Sequence, residues 1–231
     1  MHEDQKKESN SIVVIGTVAQ EPILSHKKYE EGFYSFTLET ARLSDAFDAL
    51  PVTVSERTIN IRNLKTGTQI KAEGQLRTYN SYFEAERRNR LILSIFAKDI
   101  KFNLSDEELR QNHNHAVFNG YICKPPVYRT TPFGREIADV LIAVNRSYNK
   151  SDYIPCIAWG RNARFVSSMA VGEMINISGR MQSRIYQKRN EKGEMTNKTA
   201  YEVSISLLKH IPPEGKDGGA GEAAESGGAA E

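Results

Sequence analysis

Between Ala143 and Trp159 the chain reads AVNRSYNKSDYIPCIAW, with Tyr148, Tyr153 and Trp159 strung through it and Arg146 and Lys150 alongside. Aromatic rings that share a sheet with cations, instead of packing into a core, offer π faces to flat bases and positive charge to phosphates. A second stretch has the same make-up. In Gly179-Arg-Met-Gln-Ser-Arg-Ile-Tyr186, strand alternation puts Arg180, Gln182, Arg184 and Tyr186 on one face and Met181, Ser183 and Ile185 on the other. The turn from Gln187 to Gly193 then projects Lys188, Arg189 and Lys192. Such charges suit a phosphate backbone, although any solvated hairpin tip has this composition. A lone tryptophan is also a natural core residue; the cations around Trp159 weigh toward stacking. Tyr148 shares its parity with the core-like Val140, Ile142 and Val144, so it is exposed only if the strand leaves its barrel or bends near Asn145.

Other chemistry has little to stand on. There is no Walker-type phosphate loop, no GxSxG and no HExxH, and Asp139 and Asp152 are isolated. His113-Asn-His115 lacks a metal-ligand context, and Cys123 and Cys156 stand 33 positions apart without a CxxC, so reduced thiols are expected and no metal or cofactor. The expectation is a non-enzyme. No apolar run approaches the roughly 20 residues of a membrane span, and the charged start MHEDQKKES is no signal peptide, which points to the cytoplasm.

The elements that must position these residues come as a repeat. Asn10-Ser-Ile-Val-Val-Ile-Gly16 is echoed by Asn114-His-Ala-Val-Phe-Asn-Gly120, Pro22 by Pro126, Gly32 by Gly134, Gly67 by Gly172 and Gly74 by Gly179, at offsets of 102 to 105 residues. Two copies of one domain follow, at 10–102 and 114–211. In the second, Ala116–Ile122, Glu136–Ser147, Ile154–Trp159, Met174–Tyr186 and Thr199–Lys209 read as strands, and Asn162–Val171 as a helix stopped by Gly172. Thr58–Lys65 is the shorter helix of the first copy. Five strands with a helix between the third and fourth is the plan of the OB-fold, a Greek-key barrel, so the fold class is all-β with two tandem OB-folds. Ser105 and Glu108 have capping-box spacing, which predicts one helical turn in the connector 103–113. Residues 1–9 and the Gly/Ala/Glu tail 212–231 are expected to be disordered.

The net charge of +2 hides an asymmetry. The second copy sets 14 Lys and Arg against 7 Asp and Glu, a balance of +7, while the first sets 13 against 11, a balance of +2. A basic domain with aromatics on its strands is the footprint of nucleic-acid binding.

Asn114–Gly120, Ala143-Val-Asn-Arg-Ser147, Asp152-Tyr-Ile-Pro-Cys-Ile-Ala-Trp-Gly160, the Gly172/Gly179 pair and Tyr201-Glu-Val-Ser together resemble the bacterial single-stranded DNA-binding protein family, over nearly all of 114–211. The resemblance implies base stacking on Tyr148, Tyr153, Trp159 and Tyr186; beside them Arg146, Lys150, Arg161, Arg180, Arg184, Lys188 and Arg189 are the cations expected at phosphates. It also implies a homodimer with four OB-folds, acting in replication, recombination and repair. The first copy lacks most of the stacking set, and Arg77, Tyr79, Tyr82 and Phe47 are its candidate substitutes; it is expected to bind more weakly. The acidic tail lacks the family's apolar tip, which counts against partner recruitment through it. Two rival readings stay open: an assembly module of a replication complex, and an RNA-binding OB protein.

Overall fold

The computed structural model describes residues 9–42, 44, 46–83, 88–110, 114–189 and 193–212, without the side chains of 81–83, 88–90 and 188. The start and tail expected to be disordered therefore lie, apart from Ser9 and Pro212, outside the described residues.

Eleven described strands form one continuous sheet that closes on itself twice. The first barrel contains β1 (Asn10–Lys28), β2 (Glu31–Ala41), β3 (Phe47–Ser55), β4 (Gln69–Phe83) and β5 (Arg88–Lys101). The second contains β6 (Asn114–Ile122), β8 (Glu136–Arg146), β9 (Lys150–Trp159), β10 (Met174–Arg189) and β11 (Met195–Ile211), with a short β7 (Val127–Thr130) appended to β8. Each closes in the order expected of an OB-fold: the third strand pairs in parallel with the fifth, and the first bridges the second and fourth or, in the second barrel, β8 and β10.

Alternation explains the strands. In β6, Ala116, Phe118 and Ile122 are buried while His115 and Tyr121 face out. Leu38, Leu50 and Ile95 fill the first interior and Ile142, Ile154 and Val203 the second. Each such side chain, fully buried, contributes about 1.5–3 kcal/mol. Gly74 and Gly179 stand where the neighbouring strands β5 and β11 bulge, with Lys98 and Ser206 as the extra residues. A Cβ at either would sit 2.0 Å from the Phe96 carbonyl oxygen or 2.3 Å from that of Ser204, so no larger residue fits the crossing.

The helices are shorter than the sequence predicts. In the first barrel the expected Thr58–Lys65 helix is a single 3-10 turn, Ile61–Asn63, with Asn60 capping the Arg62 amide. Thr58, Ile59, Asn60 and Asn63 are weak helix formers, and buried Leu64 pins the segment to the core. In the second barrel the helix is Gly160–Ser167 rather than Asn162–Val171. The hydroxyls of Ser167 and Ser168 donate to the carbonyls of Arg164 and Phe165, which competes with helix continuation. The connector forms the expected turn, Asp106–Leu109, with both halves of the Ser105/Glu108 capping box. Lys101 and the Ser105 amide lower the Glu108 carboxyl to about 2. Among the described residues no helix is long and apolar enough to cross a membrane.

The two barrels join through a pseudo-twofold arrangement. β1 and β6 pair antiparallel about Ile12 and Ala116, which are repeat equivalents. Asn10 uses its side-chain amide as a strand residue would, donating to Leu76 O (2.8 Å) and accepting from Leu76 N (3.0 Å). Asn114 does the same with Met181, at 2.6 and 3.0 Å. Further out, buried Asp48 accepts from the Ser183 amide (2.7 Å) across the junction and is clamped by Arg42 at 2.6 Å. Its equivalent Asp152 accepts from the Thr78 amide (2.7 Å) and faces Arg77 (2.9 Å) and Arg146 (3.5 Å). Even the reciprocal bonds match: Ala49 N donates to Ser183 Oγ (3.2 Å), and Tyr153 N to Thr78 Oγ1 (2.8 Å).

Candidate nucleic-acid interface

Residues directly opposite on neighbouring strands share a sheet face. Ile157 of β9 stands opposite Ser204 of β11, which stands opposite Arg180 of β10. The two parity sets read from the sequence, Tyr153/Ile157/Trp159 and Arg180/Gln182/Arg184/Tyr186, therefore occupy one outward face of the second barrel. Met181, Cys156 and Val203 point the other way, into the core.

On that face Tyr153 and Trp159 are 45% and 38% exposed, enough to present ring surface. The Trp159 indole N–H donates to Ser204 Oγ at 3.1 Å, which fixes the ring over the sheet. Tyr186 is half-buried near the outer end of the β10–β11 ribbon, with the Arg184 guanidinium 5.8 Å from its ring centre. Tyr148 resolves the parity question. It sits at the tip of the β8–β9 hairpin with φ of 62°, followed by Asn149 at 53°, so the strand has ended and the ring is 94% exposed. Two successive positive φ values are the mark of a tight primed turn.

The cations divide into two sets. Lys150, Arg161 and Arg189 are exposed, Arg180 half-buried, and Arg184 exposed while 3.6 Å from Glu202. Arg146 is half-buried and already committed to Asp152, so a free phosphate ligand is not what it presents. Arg77 is committed likewise, to Asp152 and Gln75. Gln182 departs from the wet face its parity suggests: it is 8% exposed because its amide donates to Glu202 Oε1 at 2.8 Å. Ile157 is buried between the two exposed aromatics of its strand. The side chains of Lys188 and Tyr82, and all of Lys192 and Arg87, lie outside the described residues.

In the first barrel Phe47 and Tyr79 are exposed. The sequence reading missed others. Tyr121 stands opposite Ala143, which stands opposite Tyr153, in an outward row of the second barrel. In the first barrel His26 and Phe33 stack with centroids 4.9 Å apart and planes at 7°, and Phe33 lies 6.1 Å from Phe96. Alternation could have exposed Tyr121. Phe33 and Phe96 are joined by strand register, which the sequence does not display.

Comparison with known proteins agrees with this geometry. The model of the single-strand binding protein family matches residues 113–211. Single-stranded DNA-binding protein 1 of Staphylococcus aureus (strain COL) is 33% identical over 107 residues, which are 43% of this chain and 62% of that protein. Single-stranded DNA-binding protein B of Bacillus subtilis (strain 168) is 30% identical over 111 residues, 45% of this chain and 95% of its own length. The match thus spans under two thirds of the first relative and nearly all of the second. In fold, the crystal structure of the single-stranded DNA-binding protein from Thermus aquaticus superposes with a TM-score of 0.69 at 18% identity, covering 91% of this chain and 96% of that one. The chain belongs to the single-strand binding protein family.

Proposed function

We propose that this protein binds single-stranded DNA with little regard to sequence, coats it and keeps it unpaired during replication, recombination and repair. The observation that carries the reading is the outward face of the second barrel, where Tyr153, Trp159 and Tyr186 share a sheet surface with Arg180 and Arg184. Bases stack on the rings, at roughly 1–3 kcal/mol per base. Lys150, Arg161, Arg180, Arg184 and Arg189 meet phosphates and release counterions; Arg146 orders the hairpin under Tyr148 through Asp152. The role needs no catalytic group, metal or cofactor.

The working units are residues 10–102 and 114–211, with 103–113 as a short connector and 212–231 as an acidic tail that competes with DNA for the basic face. The protein acts in the cytoplasm, at the nucleoid, as a homodimer presenting four barrels. A competition assay separates this reading from its rivals. Labelled oligo-dT bound to the protein should be displaced by unlabelled single-stranded DNA far better than by duplex or by RNA of the same sequence. Equal displacement by RNA supports an RNA binder, and absence of any complex supports an assembly module.

A further inference from the structure

In the second barrel Trp159 stands on β9 opposite Ile137 of β8; at the equivalent pair of the first barrel, Ser55 of β3 stands opposite Phe33 of β2. The large aromatic has changed strands but kept its place on the outward face. A second exchange accompanies it. Ser204 of β11, which holds the Trp159 indole, is matched by Phe96 of β5: Thr53 pairs Phe96, and Phe96 pairs Gln75, just as Ile157 pairs Ser204 and Ser204 pairs Arg180. The first barrel therefore carries a continuous ring strip, His26–Phe33–Phe96, where strand-by-strand matching finds Arg129, Ile137 and Ser204 and no aromatic ring.

The strip floors a cleft of about 670 Å³ whose far wall is the β8–β9 hairpin of the second copy, contributing Tyr148 and Lys150. Arg77 and Arg146 also line it, held by Asp152. At the other end of the strip Glu56 accepts from the Gly32 amide and Glu31 from the Ser55 hydroxyl. Lys28 lines the cleft at that end and Arg57 lies 3.4 Å from Glu31, so cations reach both ends of the strip. Half-buried rings on an outward face, walled by cations from both copies, fit a nucleotide whose base stacks and whose phosphate meets Lys150.

We propose that Phe33 and Phe96, with His26, form a second base-stacking site. A single strand would leave the Trp159 platform, pass Tyr148 at the hairpin tip, and continue into this inter-barrel cleft. The inference deepens the function proposed above and rests on it. Tyr79, one of the substitutes expected in the first copy, lines the same cleft.

The test compares the full chain with Phe33→Leu/Phe96→Leu, which keeps apolar bulk but removes the rings; Phe33→Ala/Phe96→Ala serves as the second variant, with circular dichroism as the folding control. Two oligo-dT lengths are titrated, about 8 nucleotides, enough for one barrel, and about 32, enough to cross both. The short oligomer should quench Trp159 equally in all folded forms. The long one should bind the leucine variant about tenfold more weakly and occlude fewer nucleotides per chain. Unchanged affinity and occluded length for the long oligomer in the leucine variant overturns the inference and leaves the general function standing. Failure of the unmodified protein to bind either length overturns both.

Discussion

Tyr153 and Trp159 differ from core aromatics in having a ring face open to solvent and a cation row two strands away. Replacing Tyr153 with alanine removes one stack and should weaken oligo-dT binding by about 1–3 kcal/mol, roughly 5- to 150-fold, with the melting temperature little changed. Fluorescence anisotropy and a thermal melt on the same samples check this; a large loss of stability with proportionate loss of binding would mark the ring as packing. The cysteines offer a second residue-scale check. Burial pushes the Cys156 thiol well above its ordinary range, and Cys123, half-buried, is raised by the same cause. A thiol must ionise to react, so Cys156 should resist alkylation near neutral pH until the protein is unfolded. Labelling of native Cys156 as fast as a free thiol would contradict the fold around β9.

Asp48 and Asp152 belong to the scale of the element, because each ties the start of a barrel's third strand to the fourth strand of the other barrel. Asp152→Ala removes a charge-assisted bond from the Thr78 amide and takes the carboxylate away from Arg77, which keeps Gln75, and from Arg146. With both arginines partly solvated, a destabilisation of about 2 kcal/mol is expected in urea unfolding, and Asp48→Ala should cost a similar amount. Near-zero effects from both would mean that the β1–β6 pairing alone joins the barrels. Gly179→Ala should cost at least as much, since the new methyl meets the Ser204 carbonyl. What could be read beforehand follows from the same physics. Strands, turns and the repeat were legible because alternation and glycine spacing are local. Helix lengths were not, because Ser167 and Ser168 and the weak formers around Asn60 end those helices earlier than apolar spacing suggests. Asp152 looked isolated in the sequence; its hydrogen-bond partners Thr78 and Arg77 are 74 and 75 residues away. The aromatic exchange from Trp159 to Phe33 was invisible for a related reason, since it follows cross-strand register.

At the scale of the molecule, the overall charge of +2 says little, and its placement says much. The five cations proposed for phosphate contact, Lys150, Arg161, Arg180, Arg184 and Arg189, would release about 0.7 counterions each from a single strand. Log affinity should then fall against log salt with a slope of about −3.5. Light scattering should return twice the 26.0 kDa of the chain, and a strict monomer would leave two barrels per particle. The most direct measurement uses the protein's only tryptophan, which stands on the proposed platform. Poly-dT is titrated at two salt concentrations while the emission of Trp159 is followed. The account predicts saturable quenching, tight at low salt, much weaker at high salt and weak with duplex. Absence of quenching, or quenching by duplex as strong as by single strand, would contradict it.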